Sequence, residues 1–182
     1  MLFRSSFKGP ETNDMSCSIE DIIGTHNKFL VGMLGNFVNR NLSFINKKFD
    51  GIIKESKIDE KIIEETKKCF EETGEYFEKA EIRNATDRIM EYVALANKYY
   101  DSREPWVEAK EDLDAFWETT YTCTYMMANI ANLVAPIMPN ASKRIKNMLS
   151  LPEYVWEETK IKGDIEIKDL AIIYDRLDEK DF

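Results

Sequence analysis

The chain has 182 residues, of which 43% are hydrophobic and 12% aromatic, so it can build one domain with a sizeable core. Three cysteines stand far apart in the sequence with a single histidine, which argues against both a disulfide framework and a zinc site. The formal net charge of -9 argues against a nucleic-acid partner unless the basic residues are gathered on one part of the surface.

The first 17 residues differ in character from the rest of the chain. Residues 1–17 are polar and include Gly9-Pro10, so we predict a linker or extended lead-in there. They lack the apolar stretch of a signal peptide, and no apolar run reaches the roughly 18 residues of a membrane span. We therefore expect a soluble, cytoplasmic protein with one domain over residues 18–182.

Hydrophobic periodicity predicts helices along most of that domain. Apolar residues recur every three to four positions from Ile22 to Ile45, which is typical of a long amphipathic helix. Ser18 fits its N-cap, and Phe49-Asp50-Gly51 fits its C-terminal end. Similar spacing predicts four further helices, over about 59–79, from Ile82 to just before Pro105, over about 112–134, and, short and basic, from Asn140 to Leu149.

The tail reads differently. Residues 164–168 alternate between polar and apolar as a strand does, but no second clear strand is available for pairing, so we expect a short extended segment packed on the helices. Helices with one apolar stripe must bury that stripe against each other. The predicted fold class is therefore all-α: a helical bundle of four to five main helices with a short extended C-terminal segment.

Charge is unevenly distributed along the chain. Positions 36–54 carry four basic residues against one acid, whereas positions 59–81 carry nine acids against four lysines. One end of the molecule is therefore expected to be basic while another part repels polyanions. On charge alone, the candidate phosphate contacts are Lys47, Lys48 and Lys54.

The sequence offers no arrangement typical of catalysis. The only histidine, His26, lies on the apolar side of the first helix, between Ile22 and Phe29, where a packed histidine is favoured over a catalytic one. No phosphate-binding glycine loop, nucleophile motif or metal-binding histidine pair occurs. We therefore predict no catalytic residue, no metal site and no cofactor in this chain.

Two places carry residues that are unusual for a scaffold alone. Asn36 and Arg40 are one helical turn apart, so an amide and a guanidinium lie on one face and could contact base edges. Trp106 follows Pro105 at a break between helices, which suits a rigidly presented indole that stacks on an unpaired base. The alternatives are a polar helix face that meets solvent and a core tryptophan that seals the corner of the bundle.

Together these segments resemble the C-terminal anticodon-binding domain of methionyl-tRNA synthetase, a class I aminoacyl-tRNA synthetase. The similar stretches occur in the family's order from about Asp14 to Asp178, and residues 7–18 resemble the segment that joins this domain to the catalytic one. The stretches are Leu34-Gly35-Asn36-Phe37-Val38-Asn39-Arg40, Ile45-Asn46-Lys47-Lys48-Phe49-Asp50-Gly51, Ala96-Asn97-Lys98-Tyr99, Pro105-Trp106 and Ala135-Pro136-Ile137-Met138-Pro139.

The resemblance implies recognition of the CAU anticodon of methionine tRNA, with neither DNA nor membrane as partner. Trp106 would stack on the first anticodon base, Asn36 and Arg40 would bond to that base and its neighbour, and Asp101 would help to reject other anticodons. Arg176 matches, more loosely, a family arginine near the RNA. The anticodon-binding residues implied are Asn36, Arg40, Asp101, Pro105, Trp106 and Arg176.

The sequence also departs from the family. Gly32 stands where many members have a small polar residue, so one base contact is expected to be missing. Neither the HIGH-type nor the KMSKS-type motif nor the cysteine knuckle occurs, so ATP and methionine would bind an absent catalytic domain and this chain alone should be inactive. Two alternatives stay open: a free-standing helical module that binds tRNA or docks on a catalytic partner protein, and the related anticodon domain for leucine, isoleucine, valine or cysteine.

Overall fold

The structure, a computed structural model, describes residues 18–152 and 155–181. The predicted lead-in over residues 1–17, with Cys17, lies outside the described residues. Among the described residues the α-helices, labelled in chain order, are α1 Ile19–Thr25, α2 Asn36–Lys48, α3 Glu60–Glu78, α4 Ile82–Arg103, α5 Pro105–Glu111, α6 Leu113–Val134 and α7 Pro139–Met148. The all-α bundle that the sequence predicts is therefore confirmed.

The predicted long first helix is continuous but not α-helical throughout. It consists of α1, a π-helical segment over His26–Gly35, and α2. The hydroxyl of Ser18 caps its start by accepting a hydrogen bond from the Asp21 amide, as predicted. At its other end Asp50 and Gly51 both adopt left-handed φ angles of 51° and 75°, which ends the helix in the predicted place.

Capping side chains fix the starts of two of the other long helices. The Asp59 carboxylate accepts from the Lys61 amide at the start of α3, and the Asp112 carboxylate accepts from the Ala115 amide at the start of α6. Helix α6 is the central element of the bundle, since every residue from Thr119 to Val134 is buried. The helices predicted from periodicity are thus found close to their predicted limits, and α5 is an additional short one.

The expectation that the tail has no strand to pair with is wrong. Ile165–Glu166 (β2) pairs antiparallel with Ile52–Ile53 (β1), with Ile53 opposite Ile165. Strand β1 directly follows the turn at Gly51 and has only two residues, so it leaves no alternation in the sequence. The pairing ties the C-terminal segment to the end of α2.

Side-chain amides hold the rest of the tail on the bundle. Asn129 of α6 donates to the carbonyl of Thr159 at 3.1 Å and accepts from its amide at 2.8 Å, so the side chain imitates a strand partner. Asn27 does the same for Leu177, with both bonds at 2.9 Å. His26 packs edge-on against Tyr174, with its Nε2 at 2.8 Å from the carbonyl of Asp175, and therefore serves packing as predicted.

No helix in the described part of the chain is long and apolar enough to cross a membrane.

Candidate nucleic-acid interface

Helix α2 presents its polar side chains to helix α4. Asn36 and Arg40 lie one turn apart in α2 and face the last turns of α4. Arg40 donates from Nη1 to Oδ1 of Asp101 at 2.7 Å, and from Nη2 to the carbonyl of Asn97 at 3.2 Å. Both bonds are charge-assisted, so they hold the guanidinium in one orientation before any ligand is present.

Aromatic rings continue the site beyond the guanidinium. The central carbon of the Arg40 guanidinium lies 4.5 Å from the ring centroid of Tyr100, which is a cation–π contact. The ring of Tyr100 lies in turn 6.1 Å from the ring of Trp106, at 51°. Tyr100 is buried, and burial raises the pKa of its phenol to about 12, so the ring stays neutral at ordinary pH.

The break between α4 and α5 places Trp106 at the surface. Glu104 adopts a left-handed φ of 50°, and Pro105, which is buried, occupies the first position of α5, where a proline costs no hydrogen bond. Trp106 is 39% exposed. The predicted alternative of a sealed core tryptophan is therefore wrong, because more than a third of the residue is exposed to solvent.

A short ion-pair network fixes the position of α5. Arg103, at the end of α4, donates from Nε to the hydroxyl of Thr119 in α6 at 2.8 Å and forms an ion pair with Glu108 of α5 at 3.1 Å. Burial raises the pKa of the Glu108 carboxyl, and the neighbouring Thr119 hydroxyl and Arg103 charge oppose that rise. The helix that carries Trp106 is thus attached to both of its neighbours.

Asn97 links these parts and was not singled out by the sequence. Its Nδ2 donates to the carbonyls of Met33 at 3.2 Å and of Val93 at 3.0 Å. Carbonyls only accept, so this pairing settles which end of the amide is nitrogen. The Oδ1 of Asn97 is then left to accept from Nδ2 of Asn36, over a longer distance of 3.5 Å. Only its place in the Ala96-Asn97-Lys98-Tyr99 stretch pointed to Asn97.

The result is one connected surface, which we call the Arg40 cluster. Its members are Asn36, Arg40, Asn97, Tyr100, Asp101 and Trp106. It combines an exposed indole with amide and guanidinium groups, which can stack on an unpaired base and hydrogen-bond to its edge. The structure therefore brings Asn36, Arg40, Asp101 and Trp106 together, with Pro105 next to Trp106 in the chain, and leaves Arg176 outside the cluster.

Arg176 lies near the start of the first helix. It is exposed and lines a hollow of about 720 Å³ together with Glu20, Asn27 and Lys28. The residue after it, Leu177, is held by Asn27, nine positions before Asn36 in the chain. Arg176 is thus well positioned by the tail but is not part of the Arg40 cluster.

The three predicted phosphate contacts have different surroundings. Lys47 and Lys48 are exposed in the last turn of α2. Lys54 lies 5.7 Å from the ring of Trp117 and borders a hollow that several acids also line. Its setting is therefore less suited to a phosphate than that of the two α2 lysines.

Fold and site together define a class: a helical bundle that offers stacking and hydrogen-bonding groups to unpaired bases. The family model described as the anticodon binding domain of methionyl tRNA ligase matches residues 52–168, more than half of the chain. The chain belongs to this family. The alternative of an anticodon domain for another amino acid is not favoured by this match.

Individual relatives extend the match to α1 and α2. The chain is 34% identical over 172 residues to methionine--tRNA ligase 1 of Alkaliphilus oremlandii, covering 94% of this chain and 32% of the relative. It is 40% identical over 148 residues to a methionine--tRNA ligase of Bacillus cereus, covering 81% of this chain and 27% of the relative. The chain thus spans about a third of the length of the curated relatives it matches.

Solved structures share the fold. The apo form of methionyl-tRNA synthetase from Mycobacterium tuberculosis superposes with a TM-score of 0.89 at 22% identity, over 97% of this chain and 38% of that one. The same organism's enzyme in complex with methionyl-adenylate gives a TM-score of 0.72 at 26% identity, over 77% and 29% of the two chains. The helical architecture is therefore that of the family.

Proposed function

We propose that this chain recognises the CAU anticodon of methionine tRNA, as the domain of a methionyl-tRNA synthetase that identifies the tRNA for a separate catalytic domain. The observation that carries the proposal is the exposed indole of Trp106 at the end of a row formed by Tyr100 and Arg40. ATP, methionine and the aminoacylation chemistry belong, on this proposal, to the catalytic domain.

The cluster supplies complementary chemistry for cytosine, the first base of the CAU anticodon. Cytosine offers an amino donor beside ring acceptors, whereas uracil has a carbonyl in place of the amino group. The amide of Asn36, with Nδ2 turned towards Asn97, leaves its oxygen to accept from that amino group. The guanidinium of Arg40 donates to the ring acceptors, while the base itself stacks on Trp106.

Asp101 helps to discriminate between anticodon bases because it already accepts a hydrogen bond from the Arg40 guanidinium. Its carboxylate takes one donor of Arg40 at 2.7 Å and places a negative charge beside the site. A ligand that does not compensate for this charge with good hydrogen bonds is therefore repelled. The exposed Lys47 and Lys48 then attract the phosphates next to the loop.

Binding of anticodon stem-loops tests the proposal. The chain should bind a stem-loop with CAU about 5- to 150-fold more tightly than one with UAU, which corresponds to ~1–3 kcal/mol. The affinity should also fall steeply as salt rises, because phosphate contacts release counterions. Equal affinity for both loops contradicts base recognition, and an affinity that salt leaves unchanged favours docking on a protein partner instead.

A further inference from the structure

The helix that carries Asn36 and Arg40 has an unusual register immediately before them. The π-helical segment runs over ten residues, His26–Gly35, and ends where Asn36 begins. Most π-helical pieces are single turns, and they frequently occur at functional sites. This segment is longer than a single turn and lies next to the Arg40 cluster.

Two glycines allow the π register. A Cβ atom added at Gly35 would lie 2.9 Å from the carbonyl oxygen of Leu30, and one added at Gly32 would lie 3.1 Å from that of Asn27. In both cases the oxygen belongs to the residue five positions back, the partner that defines π-helical bonding. The contact at Gly35 is closer than real Cβ atoms approach, and since the oxygen is backbone, the helix itself would have to move.

Contacts on both sides of the segment fix its rotation. At its start, Asn27 holds Leu177 through two hydrogen bonds of 2.9 Å. Within it, the carbonyl of Met33 accepts from Asn97 at 3.2 Å, and beyond it Arg40 bonds to Asp101 at 2.7 Å. The tail and the Arg40 cluster are thus both attached to this one helix, at positions whose angular relation depends on the register between them.

A change of register would separate these contacts. A π-helix needs about 4.4 residues per turn against 3.6 in an α-helix, so ten residues converted to α would rotate the two ends by roughly half a turn. With Asn27 held by the tail, even a partial conversion turns Asn36 and Arg40 away from Asn97 and Asp101. Alanine is also more favourable than glycine in an α-helix by ~1 kcal/mol. A Gly→Ala substitution therefore destabilises the π-helical register and stabilises the α-helical one.

We propose that Gly35, assisted by Gly32, is a positioning residue for anticodon recognition: the lack of a side chain permits the π register that brings Asn36 and Arg40 to α4. The inference rests on the proposed function, because it concerns how the first anticodon base is discriminated. Trp106 lies on α5 and is positioned by Pro105, so stacking does not depend on this register.

The test compares Gly35→Ala with Gly24→Ala. Gly24 lies in α1, where an added Cβ meets nothing within 4 Å, so this control makes the same chemical change without touching the π segment. For each variant we would measure the melting temperature and the affinity for stem-loops with CAU and UAU. Gly35→Ala should stay folded, keep residual affinity for both loops, and lose at least fivefold of the preference for CAU. Gly24→Ala should keep the preference of the unmodified chain.

The outcomes separate this inference from the proposed function. If the unmodified chain binds both loops equally, the proposed function fails and the inference fails with it. If it prefers CAU and Gly35→Ala keeps that preference within twofold, the positioning role alone is overturned. Loss of affinity for both loops in the same proportion also overturns it, since that indicates a structural role only. Should Gly35→Ala not fold, Gly32→Ala decides by the same criterion, because its contact of 3.1 Å is milder.

Discussion

Replacing Trp106 with alanine should weaken binding of the CAU stem-loop while leaving the domain folded. Base–aromatic stacking contributes ~1–3 kcal/mol per base, so the dissociation constant should rise about 5- to 150-fold. Trp106 is 39% exposed, so about three fifths of its surface is covered, and its ring lies 6.1 Å from that of Tyr100. A fully buried tryptophan costs ~3–5 kcal/mol on truncation, and this one should cost about 2 kcal/mol of the free energy of unfolding.

The expected loss of stability is small compared with the stability of a domain of this size. A domain of this size is stable by roughly 5–15 kcal/mol, so a loss of about 2 kcal/mol leaves the variant folded and its weaker binding cannot come from unfolding. The assay is fluorescence anisotropy of a labelled stem-loop at two salt concentrations, with urea unfolding measured in parallel.

Trp156 provides a matched control. It is 36% exposed and packs edge-on against Phe70 and Phe77, at 5.6 and 5.5 Å, on helix α3. Trp156→Ala should therefore cost a similar free energy of unfolding without weakening RNA binding, and Trp106→Phe should retain part of the affinity. A folded Trp106→Ala variant that binds CAU within twofold of the unmodified chain would refute the stacking role.

Further predictions concern Asp101, Asn129 and the two buried cysteines. Asp101→Asn should strengthen binding of every stem-loop but reduce the preference for CAU, since it frees one donor of Arg40 and removes a negative charge; unchanged preference in a competition assay would contradict this. Asn129→Ala should lower the free energy of unfolding by ~2–4 kcal/mol, because the backbone amide and carbonyl of Thr159 both lose their hydrogen-bond partner; a loss below 1 kcal/mol in urea would contradict this role of Asn129. Burial raises the pKa of Cys69 to about 11 and that of Cys123 in the same direction, so neither should react with iodoacetamide at pH 8 in the folded chain, as mass spectrometry can check. The protonated thiols stabilise the folded state at pH values below about 9, so the free energy of unfolding should fall as the pH rises from about 9 towards 11.

Much of the helical fold could be predicted because capping residues and apolar periodicity indicate the same helices that the bundle contains. Ser18, which the sequence predicts as a cap, starts the first helix, and the starts predicted near positions 59 and 112 coincide with the capping residues Asp59 and Asp112. The two-residue strand over 52–53 could not be predicted, because its pairing depends on a tail more than a hundred positions away.

The π-helical segment over His26–Gly35 could not be predicted from the sequence pattern either. Apolar positions from Phe29 to Phe37 recur at a spacing of four, which fits one face of either an α-helix or a π-helix, and only the close pair Gly32 and Gly35 hints at a difference. The hydrogen bonds of Asn129 to the tail could not be predicted for another reason. A polar residue in the middle of a helix shows no periodicity that would distinguish a side chain bonded to the tail from one that faces solvent.

The candidate site was predictable from resemblance rather than from spacing. Residue spacing alone does not connect the pair Asn36 and Arg40 with Trp106; the resemblance to a family does. In the structure, Asn97 and Tyr100 link these side chains. Their roles towards RNA stay predictions. The position of Arg176 could not be predicted, because the tail that carries it is held by Asn27, whose bonding to Leu177 leaves no pattern in the sequence.

The most direct test is an NMR measurement on the domain bound to a CAU stem-loop that carries a ¹³C-labelled first anticodon base. Nuclear Overhauser contacts between the Trp106 indole protons and the base protons of that cytosine are the expected result, together with a shift of the Asn36 side-chain amide. Contacts of the labelled base with another surface, such as that around Trp156, would contradict the account.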